Sequence, residues 1–598
     1  MIIKPTSLTV TQLLGSANEQ YVVPAYQRRY SWKERQLADL WDDIDVIDGS
    51  DNHLLGSIVC LTGHHTAGLN RLEVVDGQQR LTTLSILLHC IHERLKADGA
   101  TDEAQEIDRL LHAKPLGGKS VRKVCLDSMD SGEFELLAKG ESAEQLCNSQ
   151  LANAFATFRG WVAEIDLEHL RQLLYRLMNQ AIVIRLDVSE AKDAFKLFET
   201  INNRGLRLSP TDIIKNFILG NSARFGKDEL DMARRKWGQL ISHLDGINSE
   251  AFFRHFLCAH LKKRITASYV IPNFKMVFML EVEEAEKLPE LHWYTDDEGS
   301  DEEEDDDGYA ETNGETVVKE EDLDEIERVP FATFLDRLVN SAKTYREIAL
   351  ASTGKPKLDR RLRNLRMIKS LQTFGFLMAV RTSGCSDDNF EKILKLTEAL
   401  LVRRHICRER ANENETAFAK LCGVDPRNPL PEVIEAYRLL SPTDERFRAE
   451  FAETRFIPRL IERARYCLEQ IELNRHGRHP ELLVGGPDLV HVEHIIPQKI
   501  KTRRAKSEFG DWPAYLGAKY ESQHPKFVSR IGNLTLFAGP LNIGASNNPY
   551  GRKKSAYKES AIHITKVLPT DYTNFRFAQV EARSEEFADL ALEIWPIP

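Results

Sequence analysis

Cysteine is scarce and scattered: nine residues in 598, with the closest pair, Cys407 and Cys422, fifteen positions apart. No CxxC knuckle exists, which argues against a structural zinc site of that kind and against a disulfide framework. Reduced thiols point to the cytoplasm. Long apolar runs are missing as well. No stretch approaches the ~18–20 apolar residues that a membrane helix needs. The opening MIIKPTSLTVTQLLG lacks the basic-then-apolar layout of a secretory signal. No repeat of fixed period is found, so a solenoid or propeller is not expected.

What remains is an ordinary globular composition, 42% apolar and 29% charged, on a chain long enough for three or four domains of ~100–200 residues each. The net charge of −11 is unevenly spread, because eighteen acidic residues face one lysine between Asp296 and Glu327. Everything else then balances at +6, which is compatible with nucleic-acid binding. Like-charge repulsion and few apolar groups predict an exposed, disordered loop for the acidic segment.

Periodicity divides the chain into three parts. Residues 1–225 alternate β-type runs (56–62, 71–75 and 181–187) with helices (81–95 and 191–201), as an α/β domain does. Residues 226–430 look helical, for instance over 362–380 and 390–406, and residues 431–598 form a further domain. There an amphipathic helix near 456–474 leads through a GGP break to the strand-like VHVEHII. A short strand over 534–537, an Asn-rich loop and a basic helix follow. The expected fold is multidomain, α/β plus α.

The segment VHVEHIIPQ places Glu493 and His494 side by side. Neighbours on a strand point to opposite faces, so both serve one site only where the strand ends or bends, and Pro497 favours such an ending. Downstream, IGNLTLFAGPLNIGASNNPYGRKKSAY carries Asn533, Asn542, Asn547 and Asn548. Phosphodiester hydrolysis needs a base for water and a divalent cation for the phosphate charge. One histidine, one carboxylate and one amide oxygen supply these parts, and hard oxygens suit Mg²⁺ or Mn²⁺ better than zinc. The plainer reading is a core histidine with asparagines in turns; the ordered set of features weighs against it.

That set resembles the HNH (ββα-metal, His-Me finger) nuclease motif, down to the nine-residue separation of Asn533 and Asn542. The resemblance implies His494 as general base, Glu493 and Asn542 as metal ligands, and Asn533 as a brace for the loop carrying the histidine. It also places Lys553 and Lys554 of the basic helix against DNA. Glu stands where the motif usually has Asp, which lengthens one ligand arm. His491, on the same strand side as Glu493, reads as structural.

In the N-terminal part, RLEVV runs through Asp76-Gly77-Gln78-Gln79-Arg80 into the helix LTTLSILLHCIHERL. A glycine turn opening a helix offers free N–H groups to a phosphate. Arg80 could add a charged contact, and Asp76 could hold a metal or orient water. Taken alone, DGQQR is better read as a helix cap. Together with Gln27 and Arg28 of VPAYQRRYSW, and with FETINNRGLRLSPTDIIKN, it is similar to the ParB-like domain of GmrS-type proteins. That likeness implies a nucleotide site at Gln27, Arg28, Asp76, Gly77, Gln78, Gln79 and Arg80, with Asn203 and Arg204 as a pocket wall.

Both modules on one polypeptide resemble the fused GmrSD family of type IV, modification-dependent restriction endonucleases, an arrangement shared with BrxU-type and SspE-type defence proteins. The resemblance implies an antiphage nuclease. An NTP (GTP, UTP, ATP or CTP) would gate cutting of DNA carrying hydroxymethylated or glucosylated cytosine, or phosphorothioate. One HNH site cuts one strand per encounter, so a double-strand break needs a homodimer or two visits. The alternatives are a nucleotide-switched DNA-binding regulator and a phosphorothioate-sensing nicking NTPase. Intact Glu493, His494 and Asn542 argue against the first.

Overall fold

The computed structural model describes residues 3–49, 51–66, 68–115, 117–127, 130–140, 148–202, 209–287, 327–475, 484–486, 488–500 and 512–598. The predicted acidic loop therefore lies outside the described residues, apart from Glu327.

The β-type runs of the N-terminal part join one mixed six-stranded sheet. Its strands are β1 (Ile3–Thr9), β2 (Glu19–Val23), β3 (His53–Thr66), β4 (Leu69–Asp76), β5 (Val124–Leu126) and β6 (Ala181–Val188), in the order β1-β6-β3-β4-β2-β5. The pairs β1–β6 and β3–β4 are antiparallel, and the other neighbours are parallel. The sequence predicts β3, β4 and β6 but not β1, β2 or β5. β1 holds Pro5 and alternates weakly; as an edge strand it tolerates the missing N–H.

Among the helices that build the core with this sheet are α1 (Gln78–Ala97) and α2 (Ser149–Glu164). α1 buries an almost unbroken run from Gln78 to Ile91, the mark of a helix enclosed on every side. Leu84, Leu88 and Ile91 share one cluster with Phe155 and Phe158 of α2. Further along come α3 (Ala191–Asn202), α4 (Pro210–Phe225) and α5 (Lys227–His243). α4 starts at Ser209, whose hydroxyl accepts from the Asp212 N–H, with Pro210 in the first turn.

The described chain forms two compact units, and the helical middle is shared between them. The first comprises residues 3–254, 266–287 and 327–343; the second comprises 255–265 with the described residues from 344 to 598. The helix expected over 362–380 is two helices, Pro356–Met367 and Phe374–Thr382, because the chain turns at Lys369 with φ +56°.

In the second unit, α6 (Asp387–Ile406) and α7 (Ile461–Arg475) precede a two-stranded ribbon, β7 (Val490–His494) paired antiparallel with β8 (Leu534–Ala538). Then come α8 (Gly539–Ala545), α9 (Tyr550–Lys558) and α10 (Phe577–Ile594). α10 presses on the turn before β8 at Gly532. A Cβ there would lie 2.2 Å from the Val580 carbonyl oxygen, so only glycine permits the approach.

Candidate functional site

β7 pairs with β8 up to its last residue, with His494 opposite Leu534 and Glu493 opposite Thr535. Beyond it the chain turns, and Asn533 holds the turn. Its carboxamide oxygen accepts from the Ile496 N–H at 2.8 Å, and its amide donates to the carbonyls of Ile496 at 2.9 Å and Val528 at 2.8 Å. Asn533 is itself anchored by Arg583 of α10, whose guanidinium donates to the flanking Gly532 and Leu534 carbonyls. Asn533 is fully buried, and its polar capacity is nearly spent on the turn that follows His494.

His494 sits half-buried at the strand end, 3.0 Å from the Gln498 carboxamide nitrogen through Nε2. A carboxamide nitrogen donates, so Nε2 accepts and the ring proton belongs on Nδ1. Burial first, then the positive charge of Lys553 and His524, pushes the imidazole pKa down to about 4. At neutral pH the ring is uncharged and carries a lone pair at Nε2. It has the protonation state of a general base.

Glu493 is buried, and its Oε1 accepts from Lys553 Nζ at 2.5 Å. Burial raises its pKa while Lys553 opposes the shift. Burial, and then the Glu493 carboxylate, holds the neighbouring Tyr557 phenol well above its usual range. Asn542 lies in α8, half-buried, and its carboxamide enters no hydrogen bond among the described residues. Among those residues, no three His, Cys, Asp or Glu side chains converge as a ready metal site. The two residues expected to hold a metal, Glu493 and Asn542, offer one carboxylate and one carboxamide, hard oxygens of the kind that Mg²⁺ or Mn²⁺ takes. The Lys553 ammonium shows that this carboxylate accepts a cation as partner.

Lys553 itself departs from expectation. It is 1% exposed and turned inward, so it cannot touch a phosphate from this position. A lysine one turn into a helix that packs its Tyr550 and Tyr557 inward is carried toward the core with them. Lys554 stays half-buried over the Tyr550 ring, 5.2 Å from its centroid.

In the first unit, Gly77 caps α1 with φ +84°, and a Cβ there would meet Ile58 and the Ser57 carbonyl at 2.9 Å. The glutamines around it bind main chain. Gln27 donates to the carbonyls of Val74 at 3.2 Å and Val75 at 2.9 Å; Gln79 accepts from the Ser31 N–H at 2.9 Å and donates to the Arg29 carbonyl at 3.2 Å. Gln78 reaches the Arg28 carbonyl at 3.5 Å. The YQR loop is thus sewn onto the strand–turn–helix. Arg80 donates to the Ser57 carbonyl at 3.0 Å, and burial lowers its pKa against the pull of Asp76. Arg28 keeps half its side chain exposed, 3.9 Å from Asp212.

Sequence reasoning missed Lys215. Its buried ammonium donates to Gln27 Oε1 at 2.6 Å and lies 3.4 Å from Asp212. The signal was a charged Asp212/Lys215 pair, three apart, inside the apolar run TDIIKNFIL. Asn203 and Arg204 lie outside the described residues.

One unit holds an uncharged histidine at the end of a strand ribbon and the other a polar strand–helix turn, and both lie in stretches of chain that match restriction endonuclease domains. Residues 10–219 match the GmrSD restriction endonuclease N-terminal domain, and residues 441–590 match the GmrSD restriction endonucleases' C-terminal domain. The chain belongs to the GmrSD family of type IV restriction endonucleases. No curated protein matches it significantly. No helix among the described residues is long and apolar enough to cross a membrane.

Proposed function

We propose that the protein cuts modified DNA by hydrolysis at an HNH-type site centred on His494, and that a nucleoside triphosphate at the DGQQR turn regulates this. The observation that carries the reading is the pairing of an uncharged, lone-pair-bearing His494 with the fully buried Asn533 that fixes its turn. His494 Nε2 takes the proton of the attacking water, and the rigid turn keeps that atom in place through the reaction. Glu493 and Asn542 would hold Mg²⁺ or Mn²⁺, and the chemistry the ion would supply there is neutralisation of charge on the phosphate. In the first unit, the α1 N-terminus supplies N–H groups to phosphate, and Arg28, Arg80 and Asp76 line the approach.

The test is cleavage of unmodified, hydroxymethylated, glucosylated and phosphorothioated DNA with Mg²⁺, with and without each NTP, by wild type and His494→Ala. Cutting that vanishes in the variant, while DNA binding persists, is the expected result. Residual cutting within a few-fold of wild type would remove His494 from the mechanism.

A further inference from the structure

Lys553 is nearly sealed from solvent, while its neighbour Arg552 on α9 is exposed. Its ammonium has three donors and meets three acceptors: Glu493 Oε1 at 2.5 Å, the His494 carbonyl at 3.1 Å and the Ile495 carbonyl at 3.3 Å. Two of these belong to the main chain of the candidate base and the residue after it. Asn533 takes hold of the next residue, Ile496, at both its N–H and its carbonyl. Residues 494–496 are thus gripped in succession by side chains from α9 and from the turn before β8.

A buried ammonium costs free energy that a methionine of similar length would avoid, so its retention calls for a reason. A phosphate contact requires exposure that Lys553 lacks. We propose that Lys553 is a positioning residue for His494: it fixes the main chain beneath the imidazole, and Glu493 supplies its counter-charge. The proposal rests on the reading of His494 as general base. Since a displacement of about 1 Å at a reacting group costs on the order of a hundredfold in rate, the grip acts on turnover rather than on DNA affinity.

The experiment uses the full chain as wild type, Lys553→Met, Lys553→Arg and His494→Ala, assayed below the thermal midpoint of each. Readouts are kcat and KM for DNA cleavage, the salt dependence of DNA binding, and Mn²⁺ affinity by electron paramagnetic resonance. For Lys553→Met the expected result is a kcat lower by roughly 10–100-fold, with KM, salt slope and Mn²⁺ affinity within about threefold. Lys553→Arg should fall between it and wild type; if the methionine variant fails to fold, the arginine variant carries the same kcat-against-KM test. A raised KM with a salt slope shallower by about one ion would make Lys553 a phosphate contact. Tighter Mn²⁺ binding with undiminished kcat would make it a mere rival of the metal. Either result, or an unchanged kcat, overturns the proposal. Cutting by His494→Ala would instead overturn the underlying base assignment, whereas an inactive His494→Ala beside a fully active Lys553→Met would remove Lys553 alone.

Discussion

Single side chains in this protein are tuned chiefly by burial. His405 is pushed down to about 3 by desolvation, with Arg463 and Arg404 adding to the shift. An unfolded chain protonates the same ring below about pH 6.5. Its contribution is therefore complete above that pH and is lost progressively as pH falls toward 3, at a slope of at most ~1.4 kcal/mol per unit. His405→Gln should flatten the acid side of a urea-midpoint-against-pH curve; a curve unchanged from wild type would place the acid sensitivity elsewhere. At the N-terminal turn, Arg80→Ala should weaken NTP binding by the ~1.5–3 kcal/mol of a charged hydrogen bond. Isothermal titration decides this, and unaltered affinity would leave the turn as a helix cap. Residues of the candidate site that carry local signatures stand out in the sequence: His494, three positions before Pro497, and Asn533 in GNLTL. The partnership of Glu493 with Lys553 does not, because sixty residues of chain separate them and only packing of α9 brings them together.

Elements that carry a strong local period were equally readable. β3, β4, β6 and β7 announce themselves by their β-branched residues, β8 by its apolar LTLF, and α1 by its length. The unreadable ones depend on neighbours. β5 has three residues and exists because β2 supplies its partners, from Tyr21↔Val124 to Val23↔Leu126. β1 gains its place by pairing along its whole length with β6. The same dependence makes α10 an instrument of the site, since it sets the turn before β8. Gly532→Ala should force that contact apart, lowering stability by the ~1–3 kcal/mol typical of overpacking. Cutting should fall further than the loss of folded protein explains. Thermal denaturation and specific activity on the same sample measure both, and full activity per folded molecule would uncouple α10 from His494.

Across the whole molecule, charge and chain path set the remaining expectations. Removing residues 296–327 would change the formal charge from −11 to +6. DNA binding at low salt should then tighten, and the gain should fade as salt rises. Filter binding over a salt series tests this; equal affinities at low salt would show the segment electrostatically remote from DNA. The path of the chain has a different consequence. Residues 255–265 belong to the second unit, although they precede the last stretches of the first. His255 bonds Tyr345 at 2.9 Å, and Arg264 pairs with Glu415 at 2.7 Å. A fragment begun at Thr344 would lack part of its own interior, and one ended at Lys343 would carry the second part of the helix Ser249–Leu261 without the unit in which it packs. The second unit is therefore not a detachable cassette: a gene split between residues 343 and 344 should give two pieces of which the second is incomplete without the first, as in split-reporter complementation.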